Sequence, residues 1–242
     1  MPLMGGASDD EDVEPVKRKH AFYLFILAAL LCIVGSSIEL RSLEARRAEQ
    51  RAELFNPAQY ARDFWGQRLG DVLETALSAE RMIGLFNDDM EAAVSMGRTL
   101  GQSRVHAYLL EGKGRIVSID NKGLRVSVTG PESDPEVLIC AGSYISGNAV
   151  RDASGLIDVS AFSDTMKFNR ISSEINKIVV QEVIKPFQEK GPQVGTSVTF
   201  IGAAEVSEEA TQEVRFGERR QDSESDPSYH LLKIVPIQLR LE

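Results

Sequence analysis

The chain has 242 residues, with 36 Asp and Glu against 27 Lys and Arg, for a formal net charge of −9. Past residue 20 the excess persists, at 31 acids against 24 bases, which argues against nucleic acid as a partner because that binding requires Lys and Arg on phosphates. Cys32, Cys140 and three isolated histidines show none of the spacings of metal, nucleophile or P-loop motifs, so neither a familiar hydrolase nor a cofactor or metal site is implied.

Residues 1–20 hold a run of four acids and few large apolar side chains, a composition that cannot bury enough surface to order itself. From Ala21 to Ile38 the sequence AFYLFILAALLCIVGSSI carries no charge. As a helix it reaches about 27 Å, close to the ~30 Å hydrocarbon core of a bilayer, and it is apolar on every face. It reads as a transmembrane helix, with a cleaved secretory signal as the alternative, since Lys17, Arg18 and Lys19 precede it and small residues near Ser37 suit a peptidase. The basic flanks nearly balance, Lys17, Arg18 and Lys19 against Arg41, Arg46, Arg47 and Arg51, but proximity favours a cytoplasmic N-terminus. The reading is therefore a single pass in the cytoplasmic (inner) membrane, with residues 39–242 periplasmic or extracellular.

Residues 39–55 read as a charged helical stalk whose leucines are too few for sustained heptads. Asn56, Pro57 and Gln59 then start a helix expected to end at Gly70, with Tyr60, Phe64, Trp65 and Leu69 near one face as core packing or a ligand stripe. Ser78 and Asp88 read as the next caps, Asp88 with Glu91 as a capping box. Residues 57–100 thus give three or four short helices.

The apolar period then shortens to two. Residues 106–119, 124–128 and 137–140 read as antiparallel strands separated by the turns at 120–123 and 130–135. Residues 142–170, rich in Gly, Ser, Asn and Asp, read as an ordered irregular connection. Ile171, Ile175, Ile178, Val179 and Val183 place one apolar face on a helix running to about residue 188. Strand character returns over 197–206, a charged loop spans 207–228, and a last strand carries Pro236, which belongs at an edge or bulge.

Phe55-Asn56-Pro57 with Tyr60, Phe64 and Trp65, then Gly147-Asn148-Ala149-Val150-Arg151-Asp152-Ala153, then Phe168-Asn169 leading to Ile175-Asn176, resemble the bacterial domain of unknown function family 2291, the predicted periplasmic lipoproteins. The resemblance runs over about residues 55–242. The chain departs from the lipoprotein form at Cys32, which follows Leu30 and Leu31 where a small residue would be needed for acylation. The family implies a small helical domain and a barrel related to the oligonucleotide and oligosaccharide binding (OB) fold, and it suggests an accessory role beside subunits of sugar ABC transporters. The expected fold is α+β: residues 1–20 a cytoplasmic tail, 21–38 the transmembrane helix, 39–55 the stalk, 56–104 a helical subdomain, and 105–242 an OB-like antiparallel barrel with one packed helix.

The expected function is a noncatalytic, membrane-anchored binding or adaptor protein, its oligomeric state left open. A second reading is a saccharide or cell-wall fragment bound by Asn148, Arg151, Asp152, Asp158 and Asn169, whose donor fork, carboxylates and amides suit sugar hydroxyls; the same residues could instead cap turns and knit the long connection together. A third is glycoside chemistry by Asp152 paired with Asp158 or Glu174.

Overall fold

The computed structural model describes residues 22–23, 25–28, 55–130, 134–162, 164–209, 216 and 230–242. The chain divides into two compact units, Met1–Asn56 and Pro57–Glu242. In the first, residues 22–23 and 25–28 are helical, and Phe22, Tyr23, Phe25 and Leu27 stand exposed. No helix among the described residues is long and apolar enough to cross a membrane. The remainder of the expected span, the tail, nearly all of the stalk and most of the 207–228 loop lie outside the described residues.

The second unit is an α+β body around a mixed sheet. Strands β3 (Val105–Ile119), β4 (Gly123–Ser127), β5 (Val137–Cys140), β7 (Leu232–Leu241) and β6 (Ser197–Ser207) pair in that order, and β6 returns to β3, closing a barrel. The expected antiparallel barrel is corrected at one pair: β5 and β7 run parallel, a pairing reached through a long connection instead of a hairpin, and all other neighbours in the barrel are antiparallel. The long β3 pairs with β6 from Val105 to Arg115 and with β4 from Arg115 to Ile119, so it serves two sides of the barrel. Gly112 and Gly114 lie along this stretch. A Cβ on Gly114 would strike the Ser127 carbonyl, and one on Gly112 would lie 2.6 Å from the Phe200 ring, so both glycines permit close approach.

Two short strands, β1 (Leu77–Ser78) and β2 (Arg98–Thr99), cover the other edge of β3 near Leu110 and Ala107. The chain around them is helical. Helix α1 (Pro57–Asp63) continues through a π-helical turn, Phe64–Arg68, into α2 (Gly70–Leu73), so Gly70 opens a helical stretch instead of ending one. Phe64 and Leu69 are buried and Tyr60 meets the Phe162 ring edge-on at 5.7 Å, which makes the aromatic stripe core packing. Ser78 caps α3 (Ala79–Asp88) by accepting from the Arg81 amide at 3.3 Å. The next cap is Asp89, accepting from the Ala92 amide at 3.1 Å ahead of α4 (Met90–Ser95), and Asp88 ends the helix before it. The helices of the expected subdomain at 56–104 lie in one compact unit with the barrel. The β1 and β2 pairings, and the packing of α1 on the long helix described next, join them.

The expected strands occupy their sequence positions. Residues 142–170 fold into more than a connection, with α5 (Ala149–Ser154) and a 3-10 turn, Val159–Ala161. Helix α6 (Thr165–Ile178) begins six residues before the expected Ile171 because Asp164 accepts from the Met166 amide at 2.7 Å. A π-helical stretch, Val179–Ile184, follows and leads into α7 (Lys185–Glu189). The wider turn shifts the apolar face by one position, so Ile184 is buried where period 3.6 selects Val183. Pro236 sits beside Gly202 at a register shift between β6 and β7, the bulge its missing N–H requires.

Candidate functional site

Gly147 and Asn148 lie where the chain leaves β5 for α5. Gly147 has φ 92°, and a Cβ there would come within 3.0 Å of Glu205 Oε2. Its carbonyl accepts from Asn176 Nδ2 at 3.0 Å, and the Asn148 amide donates to Glu205 Oε2 at 3.4 Å. The junction is thus held between β6 and α6. Asn148 occupies the N-cap position of α5 without a side-chain cap bond. The helix ends at Gly155, φ 64°, over which Arg98 packs.

Arg151, 2% exposed, is the hub. Its Nε and Nη2 donate to the two Asp152 oxygens at 2.6 and 3.1 Å, a bidentate ion pair. Nη1 donates to the Phe168 carbonyl at 3.3 Å and to Asn169 Oδ1 at 3.2 Å, while the guanidinium carbon lies 3.7 Å from the centre of the Phe168 ring. Four of its five N–H groups are therefore engaged. The structure brings Asn148, Arg151, Asp152 and Asn169 together around a cavity of about 410 Å³, with Glu205 on its wall. Asp158 stands apart from that cavity: it caps the 3-10 turn through the Ser160 amide at 2.8 Å, a bond that holds its carboxyl below the usual range. Glu174 is paired with Lys177 at 2.7 Å.

Glu205 does not emerge as a site residue from the sequence. Burial pushes its carboxyl up, the Asn148 amide pulls it back, and the charges of Asp152 and Arg151 act in opposite directions. The available signal is a lone acid inside the apolar strand FIGAAEV. A second cavity, about 440 Å³, opens between residues 143–148 and the face of α6 with its π-helical continuation. Ser172, Asn176 and the exposed Tyr144 line it, together with Asn148 and Asn169. Ser172 and Tyr144 are also unmarked by sequence, since an isolated serine on a helix and a tyrosine in a loop carry no pattern.

A crystal structure of an OB-fold protein from Thermotoga maritima is similar to this chain at a TM-score of 0.62 and 27% identity, covering 78% of this chain and 99% of that one. Comparison with curated proteins gives no match. The family model described as predicted periplasmic lipoprotein (DUF2291) matches residues 27–215, a span that includes the Gly147 to Asp152 block, the Arg151 hub and Asn176. An extracytoplasmic location of the body fits that description. The matched span is most of the chain, and the protein belongs to this family of predicted periplasmic lipoproteins.

Proposed function

We propose that the protein is a noncatalytic binding or adaptor module held at the outer face of the cytoplasmic membrane, where it serves a transporter of the sugar ABC class. The observation that carries this reading is the internal pairing of the polar block. Arg151 spends its donors on Asp152, Asn169 and the Phe168 carbonyl, Asp158 caps a turn and Glu174 is tied to Lys177. Asp152, Asp158 and Glu174 are each engaged within the chain, which weighs against the carboxylate-pair chemistry the sequence also suggests, and the transporter is the partner that the family resemblance implies.

The apolar segment from Ala21 to Ile38 is the proposed anchor, since Leu31 precedes Cys32 where acylation needs a small residue. The family description raises a lipid on Cys32 as the other means of attachment. With a photocrosslinking residue at exposed Met166 or Val194, irradiation of native membranes is expected to capture an integral transporter subunit from both the parent chain and its Cys32→Ser form. Recovery of cytoplasmic proteins alone would overturn the adaptor role. Loss of Cys32→Ser from the membrane fraction would transfer the anchor to a lipid.

A further inference from the structure

The cavity beside the Arg151 frame holds a buried hydroxyl that does nothing for the fold. Ser172 is 3% exposed, and its Oγ is buried without a hydrogen-bond partner among the described residues. An unsatisfied buried polar group costs about 1–3 kcal/mol, while alanine would fill the same space on the helix without that loss. The amides around it are oriented by the frame. Asn169 gives its Oδ1 to Arg151, which leaves its Nδ2 donors available, and Asn176 gives Nδ2 to the Gly147 carbonyl, which leaves Oδ1 as an acceptor. Asn148 adds a side chain released from capping.

The ligand class follows from what lines the space. Hydroxyls and amides dominate, and no Asp or Glu is among the lining residues, so a cation finds no counter-charge. Lys177 is paired with Glu174, whereas Lys185, the second lysine at the cavity, has no ion pair among the described residues and adds a cationic donor to the lining. Tyr144, 82% exposed at the rim, offers an aromatic face to the C–H side of a ring. The volume of about 440 Å³ lies within the range of roughly 300–1,000 Å³ usual for small-molecule sites.

We propose that this cavity binds a polyhydroxylated small molecule of monosaccharide size, with Ser172, Asn169 and Asn176 hydrogen-bonding its hydroxyls and Tyr144 covering its face. The inference rests on the binding reading above and assigns it a site and a ligand class. The test is calorimetric titration of the full chain with D-glucose, N-acetyl-D-glucosamine and myo-inositol, each alone, alongside Ser172→Ala and Tyr144→Ala. At least one probe is expected to bind, and each variant to weaken it about tenfold, the worth of one good contact. Ser172→Ala is expected to melt at the same temperature as the parent chain or higher. Absence of binding by all three probes, or binding that both variants leave unchanged, would overturn the proposal, as would a lower melting temperature for Ser172→Ala. Failure of transporter capture with sugar binding intact removes the partner alone; the converse removes the ligand class alone.

Discussion

Arg151→Ala is expected to lose about 3–5 kcal/mol of folding stability, the usual consequence of breaking a buried ion pair from one side. The substitution removes a bidentate bond to Asp152, two bonds to α6 and the stacking on Phe168. It also removes the cation that offsets the charge of Asp152 on Glu205. Urea melts at two pH values would read both effects. In the parent chain the Glu205 carboxyl sits above its ordinary value of 4.5, so its contribution to stability is fully present below about pH 4.5 and is lost as pH rises through the raised value. Removing the guanidinium takes away one influence that lowers that value. The variant's deficit should therefore be larger at neutral pH than near pH 4.5. An equal deficit at both would mean that Arg151 acts through packing alone.

Gly123→Ala is the second large effect, at roughly 3 kcal/mol or more from strain and overpacking combined. Gly123 begins β4 at φ 149°, and a Cβ there would drive into the Ile139 carbonyl and lie 2.7 Å from the Ala141 amide. Relief would require β4 to part from β5, a strand of only four residues with little pairing to spare. The turn before it offers no slack, because Asp120 Oδ1 already accepts from the Lys122 and Gly123 amides at 2.8 and 3.1 Å. Gly84→Ala is the matched control: it lies inside α3 with nothing within 4 Å of a new Cβ, and should gain roughly 0.5–1 kcal/mol from helix propensity. Denaturant midpoints for the pair should move in opposite directions.

The barrel is legible because its strands carry local signals. Val137 to Ile139 form a buried apolar run, and Asp120 to Gly123 spell a turn, so order and type follow from neighbours in the chain. The turn of π-helix is illegible, since an extra residue per turn alters no side-chain pattern until the core chooses Ile184 over Val183. Asp88 has the better cap pattern in sequence, with Glu91 three residues on, and only the chain direction at Met90 selects Asp89. Closure of β6 on β3 pairs residues some ninety positions apart, which no window of sequence contains.

The site is legible in part for a related reason. Asn148, Arg151, Asp152 and Asn169 stand out as a dense polar block, and they do meet at one cavity. Their pairing is hidden, because adjacent residues on a helix do not normally face each other, yet the Arg151 fork turns back onto Asp152. Glu205 reaches the block from another strand, and Ser172 acquires interest only because its hydroxyl is buried without a partner. Side-chain type announces a polar surface; the division into frame and open contact belongs to the three-dimensional arrangement.

Protease added to intact spheroplasts tests most directly the claim that this barrel works outside the cytoplasm. Residues 57–242 are expected to be shaved from the membrane while a cytoplasmic marker survives. Survival of the barrel until the membrane is permeabilised would contradict it.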